Sequence, residues 1–111
     1  MYDVNLTTSH FPAQNDAEIR DITVGGLLRE VAATHPDALA MVDVAESGDC
    51  GQSWTYGELL VQAERLAKAL ATRFEAGERV GVWAPNIPQW IFMEDACGLA
   101  GLVLVAGDPS F

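Results

Sequence analysis

Few residues in this 111-residue sequence combine the type and spacing that chemistry requires. His10 and His35 have no carboxylate or cysteine at ligand spacing, so a solvated imidazole is expected at each. Cys50 and Cys97 lack the close pairing that zinc and redox motifs share. Cys97, in an apolar stretch, is expected to be a small buried hydrophobe, and Cys50 to sit incidentally in a polar turn. Ser53 stands beside Trp54 without the Gly-x-Ser-x-Gly elbow that exposes a nucleophile. Glu94 and Asp95 are neighbours, so on a helix they point about 100° apart and cannot share one substrate atom.

Two glycine-containing or turn-like stretches could cradle a phosphate. Gly98 and Gly101 close a helical stretch, whereas a dinucleotide fingerprint opens one, and no Gly-x-x-x-x-Gly-Lys-Ser/Thr run occurs. They are expected to let the helix finish and the next strand approach closely. The turn Ala84-Pro85-Asn86-Ile87-Pro88 occupies the place where open parallel sheets bind ligands, beyond a strand's carboxyl end and before a helix. It has no glycine, and Pro85 and Pro88 lack the amide hydrogen a phosphate would need. Asn86, three residues before Gln89, is read as a side-chain cap. No catalytic, cofactor-binding or metal-ligating residue is assigned.

Periodicity and punctuation set out the elements. Residues 1–21 mix Asn5, Thr7, Thr8, Ser9, Pro12, Asn15 and Asp16 with isolated apolar residues, and read as an irregular leader before an ordered unit over 22–111. Val24, Leu27, Leu28, Val31 and Ala32 recur on one helical face; Thr23 is placed to cap it, and Pro36 ends it. Gly25 and Gly26 weaken that first turn by about 1 kcal/mol each against alanine, which points to close packing against a neighbour. Residues 37–44 and 52–54 read as two strands of a hairpin joined by a polar loop over 45–51. Thr55 and Glu58 then have capping-box spacing, and Trp54 and Leu59 the spacing of a hydrophobic staple. Leu59, Ala63, Leu66, Ala67, Leu70 and Phe74 line one face of the second helix, with Gly77 as its terminator.

Residues 79–84 and 102–106 are short apolar runs separated by about four turns of helix. Strand, helix and strand in that order make a right-handed parallel crossover, whose unalternating strands are expected to be buried on both faces. The class is therefore α/β: a mostly parallel sheet, one hairpin and about three helices. Phe111 follows soon after the second strand, so the sheet is expected to be partial.

Composition narrows the function. The chain is long enough for one domain, and 50% of it is hydrophobic. Sixteen acidic against six basic residues give a net charge of −10, which argues against nucleic acid or an anionic membrane as partner. No basic start with an apolar core marks a signal peptide, and no apolar run of about 18 residues marks a membrane span. A cytoplasmic protein is expected.

Three strings together resemble the N-terminal portion of acyl-CoA synthetases and related adenylate-forming, AMP-binding ligases. Residues 23–36, Thr-Val-Gly-Gly-Leu-Leu-Arg-Glu-Val-Ala-Ala-Thr-His-Pro, followed by Ala38-Leu39-Ala40, are similar to that family's opening helix and first strand. Trp54-Thr55-Tyr56-Gly57-Glu58-Leu59 resembles its (W/L)(T/S)YxEL motif. Glu78-Arg-Val-Gly-Val-Trp-Ala-Pro-Asn86 with Pro88-Gln89-Trp90, then Leu99-Ala-Gly-Leu-Val-Leu-Val105 to Asp108-Pro109, resembles the segment that often ends AGAVLVPxNP. Ala106 and Asp108 depart from the usual Pro and Asn there. The strings span residues 23–109, in family order.

The resemblance implies a parent enzyme that joins a carboxylic acid to ATP as an acyl-adenylate, with Mg²⁺, and then forms a thioester with coenzyme A. It also implies that the chemistry lies elsewhere. The family's Ser/Thr/Gly-rich phosphate loop with its Lys, its aromatic-Gly-x-Thr-Glu motif, its ribose-binding Asp and its catalytic Lys have no counterpart in these residues. The strings Trp83-Ala84-Pro85-Asn86 and Gly107-Asp108-Pro109 look more like acyl- or aryl-CoA synthetases than peptide-synthetase adenylation modules. The expected role is thus an inactive scaffold fragment whose partner is the remainder of the parent, or another copy paired along the exposed edge at 102–106. A stand-alone binding or assembly module without catalysis is the alternative, and a small nucleotide-binding α/β domain a third reading.

Overall fold

Helices begin where side chains close the orphan amides of a first turn, and two of the three helices do so. The structure is a computed structural model that describes residue 7, residues 17–45 and residues 47–107; most of the 1–21 leader, with His10, lies outside the described residues. Helix α1, Val24–Thr34, starts at Thr23, whose hydroxyl accepts the Gly26 amide. Helix α2, Tyr56–Ala71, starts at Thr55 with both halves of the capping box: Thr55 Oγ1 accepts the Glu58 amide, and Glu58 accepts the Thr55 amide at 2.9 Å.

Helix α3, Pro88–Ala100, starts differently from the Asn86–Gln89 reading. Its cap is Ile87, with no side-chain hydrogen bond. Pro88 explains this, because its ring fixes the first helical φ and pushes the preceding residue into an extended conformation. Ile87 has φ −128° and ψ 158°, so the helix can start nowhere else. Gly101 ends α3 with φ 71°, as a left-handed cap. Gly77 is not the terminator of α2: the helix ends at Ala71, and Gly77, with φ 88°, turns the chain into the next strand.

Strand β1, Leu39–Val44, pairs antiparallel with β2, Cys50–Thr55, with irregular register between Leu39 and Met41 and between Val42 and Val44. The hairpin loop is shorter than its polar composition implied. Ala45 N–H donates to Asp49 O at 3.0 Å, so Cys50 and Gly51 join the strand and Cys50 is not in a turn. Strand β3, Arg79–Trp83, pairs in parallel with β4, Val103–Gly107, in register from Arg79 with Val103 to Trp83 with Gly107. Among the described residues these are two separate two-stranded sheets, the expected antiparallel hairpin and the parallel crossover pair, so the α/β class holds with sheet structure that is not purely parallel. The hairpin is tied instead to α2, where the Tyr56 amide donates to Ala38 O and the Gly57 amide to Pro36 O.

The parallel crossover has the expected order, and a clasp holds its two turns. Gly77 N–H donates to Gly101 O at 2.8 Å, and Val103 N–H to Glu78 O at 2.8 Å. Below the strands, Ala67 and Leu70 of α2, Val80, Ala96, Cys97 and Leu102 form one buried cluster. A second joins Leu28, Leu59 and Ala63, and Leu99 packs against both. Trp54 meets Phe92 edge-on across 5.4 Å, within the 4.5–7 Å range that aromatic pairs favour.

Helix α1 meets this core through a face rotated from the one its apolar spacing marks. Gly25, Leu28 and Ala32 are buried, while Val24 and Leu27 are exposed. The missing side chain of Gly25 lets the backbone of Leu99 approach α1, and Gly98 faces the Gly25 amide and Val24. Gly98 therefore serves helix–helix contact, not the close approach of the strand that follows. The expectation that the glycines of the first turn face a close neighbour holds for Gly25.

Candidate functional site

The turn between β3 and α3 is the place where a nucleotide would sit, and its geometry offers little to hold one. Trp90 closes it: the indole Nε1–H donates to Ala84 O at 3.0 Å, and the Trp90 amide donates to Ile87 O at 2.9 Å. Pro85 and Pro88 contribute no amide hydrogens. Asn86 is exposed and lines, with Ile87, Pro88 and Ile91, a groove of about 270 Å³ facing Met41–Val44 of β1. The groove has Asp43 as its carboxylate and no Lys or Arg in its lining, a poor match to a polyphosphate. Trp90's role as the latch of the turn had no marker in residue spacing; the run of proline on both sides of Asn86 was the available signal.

The remaining candidates are dispersed. His35 is exposed and its backbone N–H closes the end of α1. Ser53 is exposed on β2, Cys50 is exposed at its start, and neither thiol is in a disulfide. Cys97 is 1% exposed, and burial pushes its thiol pKa up, as befits a small hydrophobe in the core. No group of three His, Cys, Asp or Glu among the described residues could hold a metal ion. No chemical step is assigned to the described residues.

Asp95 has a perturbed titration. Desolvation in the half-buried flank of α3 raises its pKa, and the charge of Glu94 beside it raises it further. The two carboxylates thus repel each other from adjacent positions. Because the folded-state value lies above the unfolded one, the ionised Asp95 weakens the fold. That penalty is absent below pH 3.8 and grows as the pH rises through the folded-state value. Asp95→Asn is expected to raise the denaturation midpoint at neutral pH, with the gain over wild type shrinking on acidification. A gain that is independent of pH, read from urea titrations across the acid range, would contradict this account.

The most distinctive surface is the outer face of the β3–β4 pair. Because the parallel register is in step, Arg79, Gly81 and Trp83 share that face with Val103, Val105 and Gly107. Trp83 is 69% exposed and Val103 and Val105 are 47% exposed, while Val80 on the opposite face is 7% exposed. The Trp83 ring lies across Gly107, where an added Cβ would stand 3.0 Å from its Cε3. The strands are thus buried on one face, not two, in this chain.

Comparison with known proteins gives this scaffold its family. A family model for AMP-binding enzymes matches residues 28–111. A medium-chain acyl-CoA ligase, ACSF2, mitochondrial, of Danio rerio is 34% identical over 107 residues, 96% of this chain and 17% of that protein. The acetoacetyl-CoA synthetase of Streptomyces lividans superposes with a TM-score of 0.74 at 31% identity, over 80% of this chain and 14% of that one. A putative long-chain-fatty-acid CoA ligase of Rhodopseudomonas palustris gives 0.71 at 31% identity, over 82% and 22%. The chain spans about a sixth of the length of the Danio rerio relative. With its capped helices and crossover superposing on those ligases, the chain belongs to the AMP-binding enzyme family and corresponds to the N-terminal part of an AMP-binding domain.

Proposed function

We propose that these residues serve as scaffold in an AMP-dependent acyl-CoA synthetase, and that the 111 residues alone are catalytically inert. The reaction of such a parent would turn a carboxylic acid, ATP and coenzyme A into an acyl-CoA, AMP and pyrophosphate, with Mg²⁺ in the first step. Fatty acids are the proposed substrate class, supported by the chain lengths in the names of two relatives. The observation that carries the inert role is the β3–α3 turn, where Pro85 and Pro88 supply no amide hydrogen and the Trp90 amide is spent on Ile87 O. Residues 22–111 are proposed to form one unit, with 1–21 as its leader. A cytoplasmic setting is proposed too, supported by two free thiols, one of them exposed. No helix of the described residues is long and apolar enough to cross a membrane.

ATP–pyrophosphate exchange by the purified chain, across short-, medium- and long-chain acids, tests the inert role. Exchange at background with every acid is expected. Acid-dependent exchange above that level would show that a nucleotide site exists within these residues. A second reading, an assembly module without catalysis, is favoured by sheet edges that no strand among the described residues pairs with, which are templates for another strand. Both readings predict an inert chain.

A further inference from the structure

We infer that the cleft between Arg29 of α1, Lys68 of α2 and the last turn of α3 binds a small aliphatic carboxylate, apart from any site where a parent enzyme would react its acid. The inference goes beyond the scaffold reading, and neither depends on the other. Arg29 and Lys68 are two of only six cationic residues in the sequence, and Lys68 is its only lysine. Both line one cleft of about 200 Å³, with Glu64 as the remaining charged group. In a chain of net charge −10, the cleft is thus a local excess of positive charge.

Two helices bring these groups together. Glu64 and Lys68 stand four residues apart on α2, so they share one helical face. Arg29 reaches that face from α1, where its Nε–H donates to Glu64 Oε1 at 3.3 Å. That bond holds the guanidinium over the cleft and leaves its two Nη groups without a protein partner among the described residues. Lys68 likewise makes no ion pair among the described residues. A carboxylate can therefore take a charge-assisted bond from each cation, and the Arg29–Glu64 pair stays in place.

The walls select the rest of the ligand. Ala67, Ala71, Leu99 and Ala100 complete the lining, and all are apolar. Leu99 and Ala100 belong to the closing turn of α3, and a helix end of that kind carries partial negative charge. It repels a carboxylate, so the acid lies with its head at Arg29 and Lys68 and its tail on Leu99. The volume of about 200 Å³ falls below the roughly 300–1,000 Å³ of pockets for drug-sized ligands. At ~30 Å³ per water it equals roughly seven waters, which suits a straight-chain acid of about four to six carbons.

The test is a titration of the isotope-labelled 111-residue chain with sodium hexanoate, followed through its amide NMR shifts. Saturable shifts are expected at the amides of Ala67, Lys68, Ala71, Leu99 and Ala100, with a dissociation constant on the order of 1 mM. Hexanol keeps the tail without the charge, and acetate the charge without the tail; each is expected to bind at least ~10-fold more weakly. Lys68→Gln and Arg29→Gln are each expected to weaken hexanoate binding about 5–10-fold, and Lys68→Arg to keep most of it. Arg73→Gln, which removes an exposed charge outside the cleft, is expected to bind as wild type does. A second readout is the rate at which an amine-acetylating reagent modifies Lys68, mapped by mass spectrometry. Hexanoate at ~10 mM is expected to slow it at least ~3-fold by occupancy, and hexanol to leave it unchanged.

Absence of saturable shifts at these amides up to ~20 mM hexanoate, about twenty times the expected constant, would overturn the inference. So would shifts centred on other residues, hexanol binding as tightly as hexanoate, or a Lys68→Gln chain that binds and is acid-protected like wild type. The scaffold reading is judged separately by ATP–pyrophosphate exchange. Hexanoate binding with exchange at background supports both, and exchange above background with no hexanoate binding overturns both.

Discussion

Gly25→Ala is expected to destabilise the chain, although alanine is the better helix former by about 1 kcal/mol. The new Cβ would stand 2.9 Å from Cδ2 of Leu99 and 3.1 Å from both its Cα and its N. A side-chain methyl can swing aside, but backbone atoms move only if α3 moves. Overpacking of this kind costs about 1–3 kcal/mol, a large share of the roughly 5–15 kcal/mol that holds a small domain together. Two other glycines serve as controls. At Gly26 the nearest atoms are side-chain atoms of Ile22 and Thr23 and not backbone, and at Gly81 no atom lies within 4 Å. Urea denaturation should therefore rank Gly25→Ala well below Gly26→Ala and Gly81→Ala. A Gly25→Ala midpoint above wild type would mean that α1 and α3 are not in such close contact.

The other large effect is expected at Leu99. Its side chain packs against both buried clusters, so truncation to alanine opens a cavity where the two halves of the core meet. Leucine-to-alanine changes in cores cost about 2–5 kcal/mol. The lower half of that range fits a side chain that is only partly buried. The two sites touch, so their effects should not add. With Leu99 truncated, the clash with Cδ2 disappears and that with the Leu99 backbone remains. Gly25→Ala should then cost less in the Leu99→Ala background than in wild type, without becoming favourable. Strict additivity in the double-mutant cycle would show that the two residues do not meet.

Much of this fold could be read from residues whose physics is local. Thr23, Thr55 with Glu58, and Gly101 act on their own chain neighbours: the two threonines start their helices and Gly101 ends one, where their spacing placed them. The parallel crossover was legible because two apolar runs flanked a helical stretch. Asn86 misled because two local rules competed: its spacing from Gln89 suits a cap, but Pro88 dictates the backbone and moves the cap to Ile87. Gly77 was misplaced for a similar reason, since a glycine near a helix end can also turn the chain several residues later.

What stayed illegible depends on distant partners. The rotation of α1 that buries Gly25 and exposes Val24 is set by Leu99, far along the chain. The bareness of Trp83 and Val105 depends on what lies across from them, and apolar spacing cannot tell a buried face from one awaiting cover. For the candidate site, the lack of donors at residues 84–88 was visible in two prolines, whereas the latch from Trp90 to Ala84 needed three-dimensional placement.

The clasp between Gly77 and Gly101 also bears on how the chain reaches this shape. Parallel pairing must first close the loop through α3, an entropic cost that falls before any ladder bond forms. The bonds from Gly77 to Gly101 and from Val103 to Glu78 lie at the amino ends of both strands. They sit where α2 and α3, the most extensively packed pair of elements, already hold the chain together. Pairing thus zips from that end toward Trp83 and Gly107. In hydrogen exchange the ladder amides nearest the clasp should open last, and those beside Gly107 first.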